Sequence, residues 1–312
     1  MKNLPIDRLA AKDIKDQVDK VLRGIGNPEP PLDLRDVREL LKLDRQFYST
    51  KNTGPLQEYI SKIKIGAKQL VFRPSLIIDV VRKADLKALW LPDRKRILID
   101  SDIPDLKKRH REAHEITHSI TPHHSVFLFG DDDETLRHSC YEKLEAEANF
   151  GSGQLLFLRD RFVQEAQDFP LKINSIRNLA KKFGNTITMT LWRMIEEAHK
   201  GEPIFGIISV HPMLLANDFD SSSPCRYFIE SPVFRERFGN VSEIEAFSAM
   251  QSYSSRARGG PLGEDDVIFF DRNGNRHYFH MESFSNQYDT LTIGKYLRPV
   301  LPQVAVLQKN QF

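Results

Sequence analysis

The chain predicts an α+β protein in three parts. A metal-binding domain of helices and a small sheet comes first, over 1–165. A helix–turn–helix-like connector follows over 166–203, and a C-terminal α+β domain over 204–312. Three observations support this. Helical periodicity dominates the first half and is broken by one short hairpin pattern. An H-E-x-x-H run, His114 to His118, lies on a helical stretch. Strand-like segments with a tight Asn273-Gly274 turn then replace helices after Ile204.

Taken in order, 6–22 reads as an amphipathic helix, and the Gly/Pro-rich stretch 24–31 breaks it. Further helices are expected over 32–43, 56–70 and 75–83. Segments 86–91 and 96–100 read as two strands joined at 92–95. Trp90 would line the sheet edge or, by the usual burial of large aromatics, pack in the core. Pro104 and Asp105 open the next helix and Pro122 stops it. Segment 140–158 is a helix with Leu144, Ala148, Leu155 and Leu158 at core spacing. The acidic stretch 131–134 between the two is expected as a solvated loop, with a flap as the alternative.

Segments 173–183 and 188–199, separated by Gly184-Asn185, resemble a helix–turn–helix. The second helix offers Arg193 but also Glu196 and Glu197, so a packing pair is favoured over a DNA reader. Beyond it, 205–210, 226–230, 267–271 and 277–281 read as strands. Segment 252–263, with Arg256, Arg258, Gly259 and Gly260, is expected as a surface loop, or as an anion site.

The chemistry concentrates in two helices. His114 and His118 are four apart and share a helix face, so two imidazoles can meet one ion. Glu115 lies about 100° round from His114, in reach of a water at that ion, and suits a general base. Neutral imidazoles bind Zn²⁺ without cancelling its charge. Two third ligands are available. His124 has the spacing of an extended H-E-x-x-H-x-x-G-x-x-H pattern, but Thr121 stands at the glycine and a β-branched residue is poorly suited to positive φ. Glu145, on the second helix, is favoured. Asn149 lies four residues on and can accept a hydrogen bond from a ligating histidine. Glu147 is expected to point away, and His123 and His124 to form a solvated loop pair.

Bulk properties fit an ordinary soluble protein: 40% hydrophobic and 28% charged residues, with a net charge of +2. That charge makes no case for wholesale nucleic-acid binding. Two cysteines, Cys140 and Cys225, suggest no disulfide framework. The N-terminus lacks a signal-peptide pattern, and no apolar run is long enough to span a bilayer. A cytoplasmic location is expected.

HEITH followed by EAEANFGSGQLLFL resembles the ImmA/IrrE family of zinc metallopeptidases, with its H-E-x-G-H helix and E-x-E-A-N-x-F-A-x-x-L-L helix. LKALWLPDRKRILID is similar to the family's hairpin, and the resemblance spans roughly 33–158. It implies a zincin-like, gluzincin-type fold, one zinc ion and cytoplasmic cleavage of a regulatory protein such as a transcriptional repressor. By position it makes His114, His118 and Glu145 ligands and Glu115 the base. Three departures stand out. Thr117 replaces a glycine, so the packing behind the helix must differ. Gly151 and Gly153 replace small helix formers, which would let the two metal helices approach closely. Phe157 and Leu158 stand where a proline is usual. The competing expectation is a regulator that uses the same fold to sequester a repressor or toxin without catalysis.

Overall fold

The computed structural model describes residues 6–48, 88–91, 95–124 and 138–301. The helices expected over 56–70 and 75–83, the acidic stretch 131–134 and the side chains of Trp90 and Cys140 lie outside the described residues. The chain is α+β and divides into two compact units. One comprises Met1–Phe162 with Lys181–Thr186. The other comprises Val163–Ala180 with Ile187–Phe312. The 166–203 segment, expected as a connector, is thus shared between them rather than standing apart.

In the first unit, α1 (Arg8–Gly24) starts where the Asp7 side chain accepts hydrogen bonds from the Leu9 and Ala10 amides. Its residues Ile14, Val18, Val21 and Leu22 recur at helical spacing and are buried. The helix α2 (Leu34–Leu41) is capped by Asp33 and ends at Lys42, which takes a left-handed conformation with φ 55°. A strand absent from the expectation follows, β1 (Asp44–Tyr48). It pairs in parallel with β3 (Arg96–Asp100), and β2 (Ala88–Leu91) pairs antiparallel on the other side. The expected two-stranded hairpin is therefore a three-stranded sheet of order β1-β3-β2. The central strand buries Ile97, Leu98 and Ile99. Sequence periodicity missed β1 because Asp44, Arg45 and Gln46 give no apolar alternation there.

Two long helices complete this unit, α3 (Asp105–Ile120) and α4 (His138–Leu156). They pack on each other, with α1 against α4 and α3 across β2 and β3. Contact is closest at Gly151. A Cβ there would overlap Thr117 Cγ2 of α3 and lie 2.9 Å from Ile14 Cγ2 of α1. The Thr117 side chain thus occupies the space that Gly151 leaves open. Glu112, buried on α3, binds Arg38 of α2 at 2.6 Å and Arg45 of β1 at 2.8 Å, fixing the helix to both elements. After α4 the chain turns through Leu158 and Arg159, both at positive φ, into α5 (Asp160–Gln167).

The second unit holds α6 (Ile173–Phe183, its last turn counted with the first unit) and α7 (Ile187–Arg193), which continues as a π-helical turn, Met194–Ala198. Five antiparallel strands follow in the order β5-β4-β8-β7-β6: β4 (Ile204–Ser209), β5 (Cys225–Glu230), β6 (Gly260–Phe270), β7 (Arg276–Ser285) and β8 (Thr290–Pro299). β4 is buried along its whole length. One face carries Phe205 and Ile207 into an aromatic core with Phe234, Phe238, Phe269 and Phe279. At Gly206 the other face admits Ile195 of the π turn, and a Cβ would overlap that side chain.

The sequence reading underestimated this unit. It lacked β8 and the helices α8 (Pro232–Phe238) and α9 (Glu243–Tyr253). It also treated 252–263 as a loop, whereas α9 runs to Tyr253 and β6 begins at Gly260. Signals for both helices were present. Ser231 caps α8 with Pro232 at the first helical position, and Ser242 caps α9 by accepting from the Glu245 amide. The expected Asn273-Gly274 turn is there, with Gly274 at φ 80° and Asp271 accepting from the Asn273 and Asn275 amides. The register of β6 shifts between Pro261 and Gly263.

Candidate metal centre

Two helices build the site. On α3 the four-residue spacing brings His114 Nε2 and His118 Nε2 to 3.2 Å from each other, both side chains buried. From α4, Glu145 presents one carboxylate oxygen 3.2 Å from His114 Nε2 and the other 3.5 Å from His118 Nε2. Ligands 2.0–2.1 Å from a tetrahedral ion stand about 3.3 Å apart, so the two imidazole nitrogens and the two oxygens of the Glu145 carboxylate lie at separations such a site requires.

Proton bookkeeping makes the same point. His114 Nδ1 lies 3.0 Å from Asn149 Oδ1. An amide oxygen only accepts, so Nδ1 carries the hydrogen, and in the neutral imidazole Nε2 keeps a lone pair. That lone pair faces the Glu145 carboxylate, acceptor against acceptor, an arrangement that a shared cation satisfies. The donor set, two imidazoles and one carboxylate, suits zinc.

Glu115 is 6% exposed, beside both histidines. Burial, helped by the Glu145 charge, lifts its carboxyl above the ordinary value, although His114, His118 and Arg111 pull the other way. Burial lowers the proton affinity of His114, but Glu145 and Glu115 outweigh it and the net shift is upward. Burial also opposes ionisation of Glu145; where a proton rather than a cation lies between the groups, hydrogen bonds donated by His114 and His118 overcome it and leave Glu145 well below the usual carboxylate range. His110, one turn earlier, is pushed down to about 3 by burial and by the charges of His114 and Arg111.

The structure therefore brings together all five side chains that the sequence singled out: His114, Glu115, His118, Glu145 and Asn149. It corrects one expectation beside them. His123 and His124 are not a solvated pair, since His124 is fully buried. Glu147 points away from the first triad, as expected, but not to solvent. It is 3% exposed, and its Oε2 lies 2.6 Å from His123 Nε2 and 3.0 Å from His124 Nε2. His124 in turn approaches His118 from behind, Nδ1 to Nδ1 at 2.8 Å, on the ring edge away from Glu145. It consequently lies outside the first triad. The chain leaves α3 at Thr121 in an extended conformation, φ −98°, so no glycine is needed there.

His123, His124 and Glu147 thus form a second His/His/Glu cluster whose composition could also hold a metal ion. Burial, His118 and His123 hold His124 below its ordinary value against the pull of Glu147. Burial opposes ionisation of Glu147, but its two histidine partners hold it below the usual range. A regular pattern in the sequence would have found this cluster only if the turn after α3 had been placed, because 23 and 24 residues separate the partners.

In the second unit, Arg193, the cation that a groove-reading helix would need, is buried, and it pairs with Glu197. Trp192 stacks edge-on against Tyr227 of β5 at 5.1 Å. This helix packs on the sheet. Among the described residues no helix is long and apolar enough to cross a membrane.

No protein-family profile matches the chain, and no curated protein sequence matches it. Among solved structures it is similar to a Mycobacterium tuberculosis transcriptional regulator, with a TM-score of 0.51 and 11% identity over 91% of this chain and 76% of that one. At that identity the likeness concerns the fold alone.

Proposed function

We propose that the protein is a zinc-dependent peptidase of the ImmA/IrrE type, with a zincin-like first unit, that makes limited cleavages in a regulatory protein such as a transcriptional repressor. The convergence of His114 Nε2, His118 Nε2 and the Glu145 carboxylate within 3.2–3.5 Å, with the neutral His114 ring turning a lone pair toward Glu145, carries this reading. Zinc, when bound, supplies Lewis acidity that brings the pKa of water toward about 7 and polarises a carbonyl. The chain's own groups do the rest. Asn149 holds the His114 ring by accepting from Nδ1–H. Glu145 contributes the negative charge. Glu115 lies beside both histidines with its carboxyl raised above the ordinary value by burial, and it would accept a water proton and pass it to a leaving amine.

The test uses full-length protein. Glu115→Gln is expected to retain zinc and lose turnover of a candidate repressor by about 10²–10⁴-fold. Cleavage at the wild-type rate would sink the mechanism. The second reading is a binder that sequesters its partner without cutting it. Under that reading the repressor would co-purify intact with the protein, and chelator would change nothing in its length.

A further inference from the structure

We infer that His124 and Glu147 are positioning residues for His118, fixing its ring in the tautomer that turns an Nε2 lone pair toward His114 and Glu145, and that their cluster is not a second ion site. The inference rests on the metal reading of the first triad.

The distances separate the two clusters. Atoms of the first triad stand 3.2–3.5 Å apart, as ligands around a shared ion do. In the second, both imidazole Nε2 atoms approach the same oxygen, Glu147 Oε2, at 2.6 and 3.0 Å. Those are hydrogen-bond lengths, in which N–H groups donate to a carboxylate.

The hydrogens then follow in order. His124 Nε2 carries a hydrogen because it donates to Glu147. A neutral His124 therefore has a lone pair on Nδ1. That atom lies 2.8 Å from His118 Nδ1, which must be the donor. With its hydrogen on Nδ1, His118 leaves Nε2 bare, as a metal ligand requires. The reverse arrangement sets a lone pair of His124 Nε2 against the ionised Glu147 and puts a hydrogen on His118 Nε2. An ion held by the second cluster would need that same lone pair on His124 Nε2. It would thereby force His118 into the wrong tautomer, so the clusters exclude one another. Asn149 sets the first histidine directly, whereas Glu147 sets the second through an intervening ring.

The experiment uses the full chain labelled with ¹⁵N-histidine, without metal and with added Zn²⁺. In the metal-free protein, ¹⁵N–¹H correlations should place the hydrogen of His118 on Nδ1 and that of His124 on Nε2. Titration against a chromophoric chelator should give one zinc per chain, and none in His114→Ala. His124→Phe keeps the ring shape and removes the acceptor, while Glu147→Gln keeps the shape and removes the charge. Each should weaken zinc binding by about 10–100-fold, and Glu147→Gln should leave the His118 hydrogen divided between the two nitrogens. If His124→Phe does not fold, Glu147→Gln carries the affinity measurement. Two zinc ions per wild-type chain, zinc retained by His114→Ala, or a hydrogen on His118 Nε2 in the metal-free wild type would each overturn the proposal. So would unchanged affinity in the folded variants. A wild type that binds no zinc would overturn the metal reading itself, whereas a misplaced His118 hydrogen in a zinc-binding wild type would overturn only the positioning.

Discussion

The metal centre of the first unit and the aromatic core of the second differ in what they bury. The first encloses polar groups: His114, Glu115, His118, His124, Glu147 and Glu112 are all nearly inaccessible, and each is held by a charge or a hydrogen bond. The second encloses rings. Phe279 alone has five aromatic neighbours with centroids 4.9–6.0 Å away. An apolar core draws its stability from area removed from water and tolerates small shifts. A polar core tolerates few, because each buried group left without its partner loses its compensation for desolvation. Precision is therefore expected where the chemistry is, and bulk stability where it is not.

Three measurements test that contrast. Phe279→Ala should cost about 3–5 kcal/mol by truncating the centre of the aromatic core, read as a lowered denaturation midpoint, while zinc stoichiometry stays the same. Loss of zinc from the folded variant would break the contrast. Gly151→Ala is expected to cost about 1–3 kcal/mol in the first unit, since its Cβ would meet Thr117 and Ile14, against a helix-propensity gain of about 1 kcal/mol. Adding Thr117→Ala should restore most of the loss, and additive losses in the double variant would show that the two residues are not matched. The smallest effect is expected at Asp271. Burial would raise its carboxyl, but hydrogen bonds from Asn275, His277 and the Asn273 amide hold it at about 2. A group depressed in the folded state adds stability above its unfolded pKa of about 3.9. That contribution is lost as pH falls through the folded value. Asp271→Asn should thus flatten the acid limb of the stability curve between about pH 4 and 2, and an unaltered limb would remove this group from the account.

The first triad was legible because helical geometry converts spacing directly into proximity. His114 and His118 on one helix, and Glu145 and Asn149 on another, need only the two helices to meet. The second cluster was not, because Glu147 reaches His124 only through a turn at Thr121 whose conformation no short pattern announces. The same limit hid β1, whose polar residues pair with a strand about fifty positions on, Asp44 opposite Arg96. In the second unit the misses differ in kind. α8 and α9 had serine caps that could have been read, and β8 carries a short alternation, Leu291 and Ile293 between Thr290, Thr292 and Gly294, that ends at Lys295. Gly294 is explained only across the sheet, where the Phe205 ring occupies the space a side chain would take.

The outermost strand β6 has a consequence for life at high concentration. Among the described residues this edge strand of eleven residues pairs with β7 on one side, and the backbone groups of its other side invite a second chain to add its own strand, the first step toward aggregation. Here Pro261 removes a donor, the register shift beside Gly263 bends the edge, and Glu264, Asp265 and Asp266 place charge along it. An incoming copy would set its own acidic run against this one or bury charge without compensation. The edge is long, and its guards lie in the first two thirds of its length, from Pro261 to Asp266.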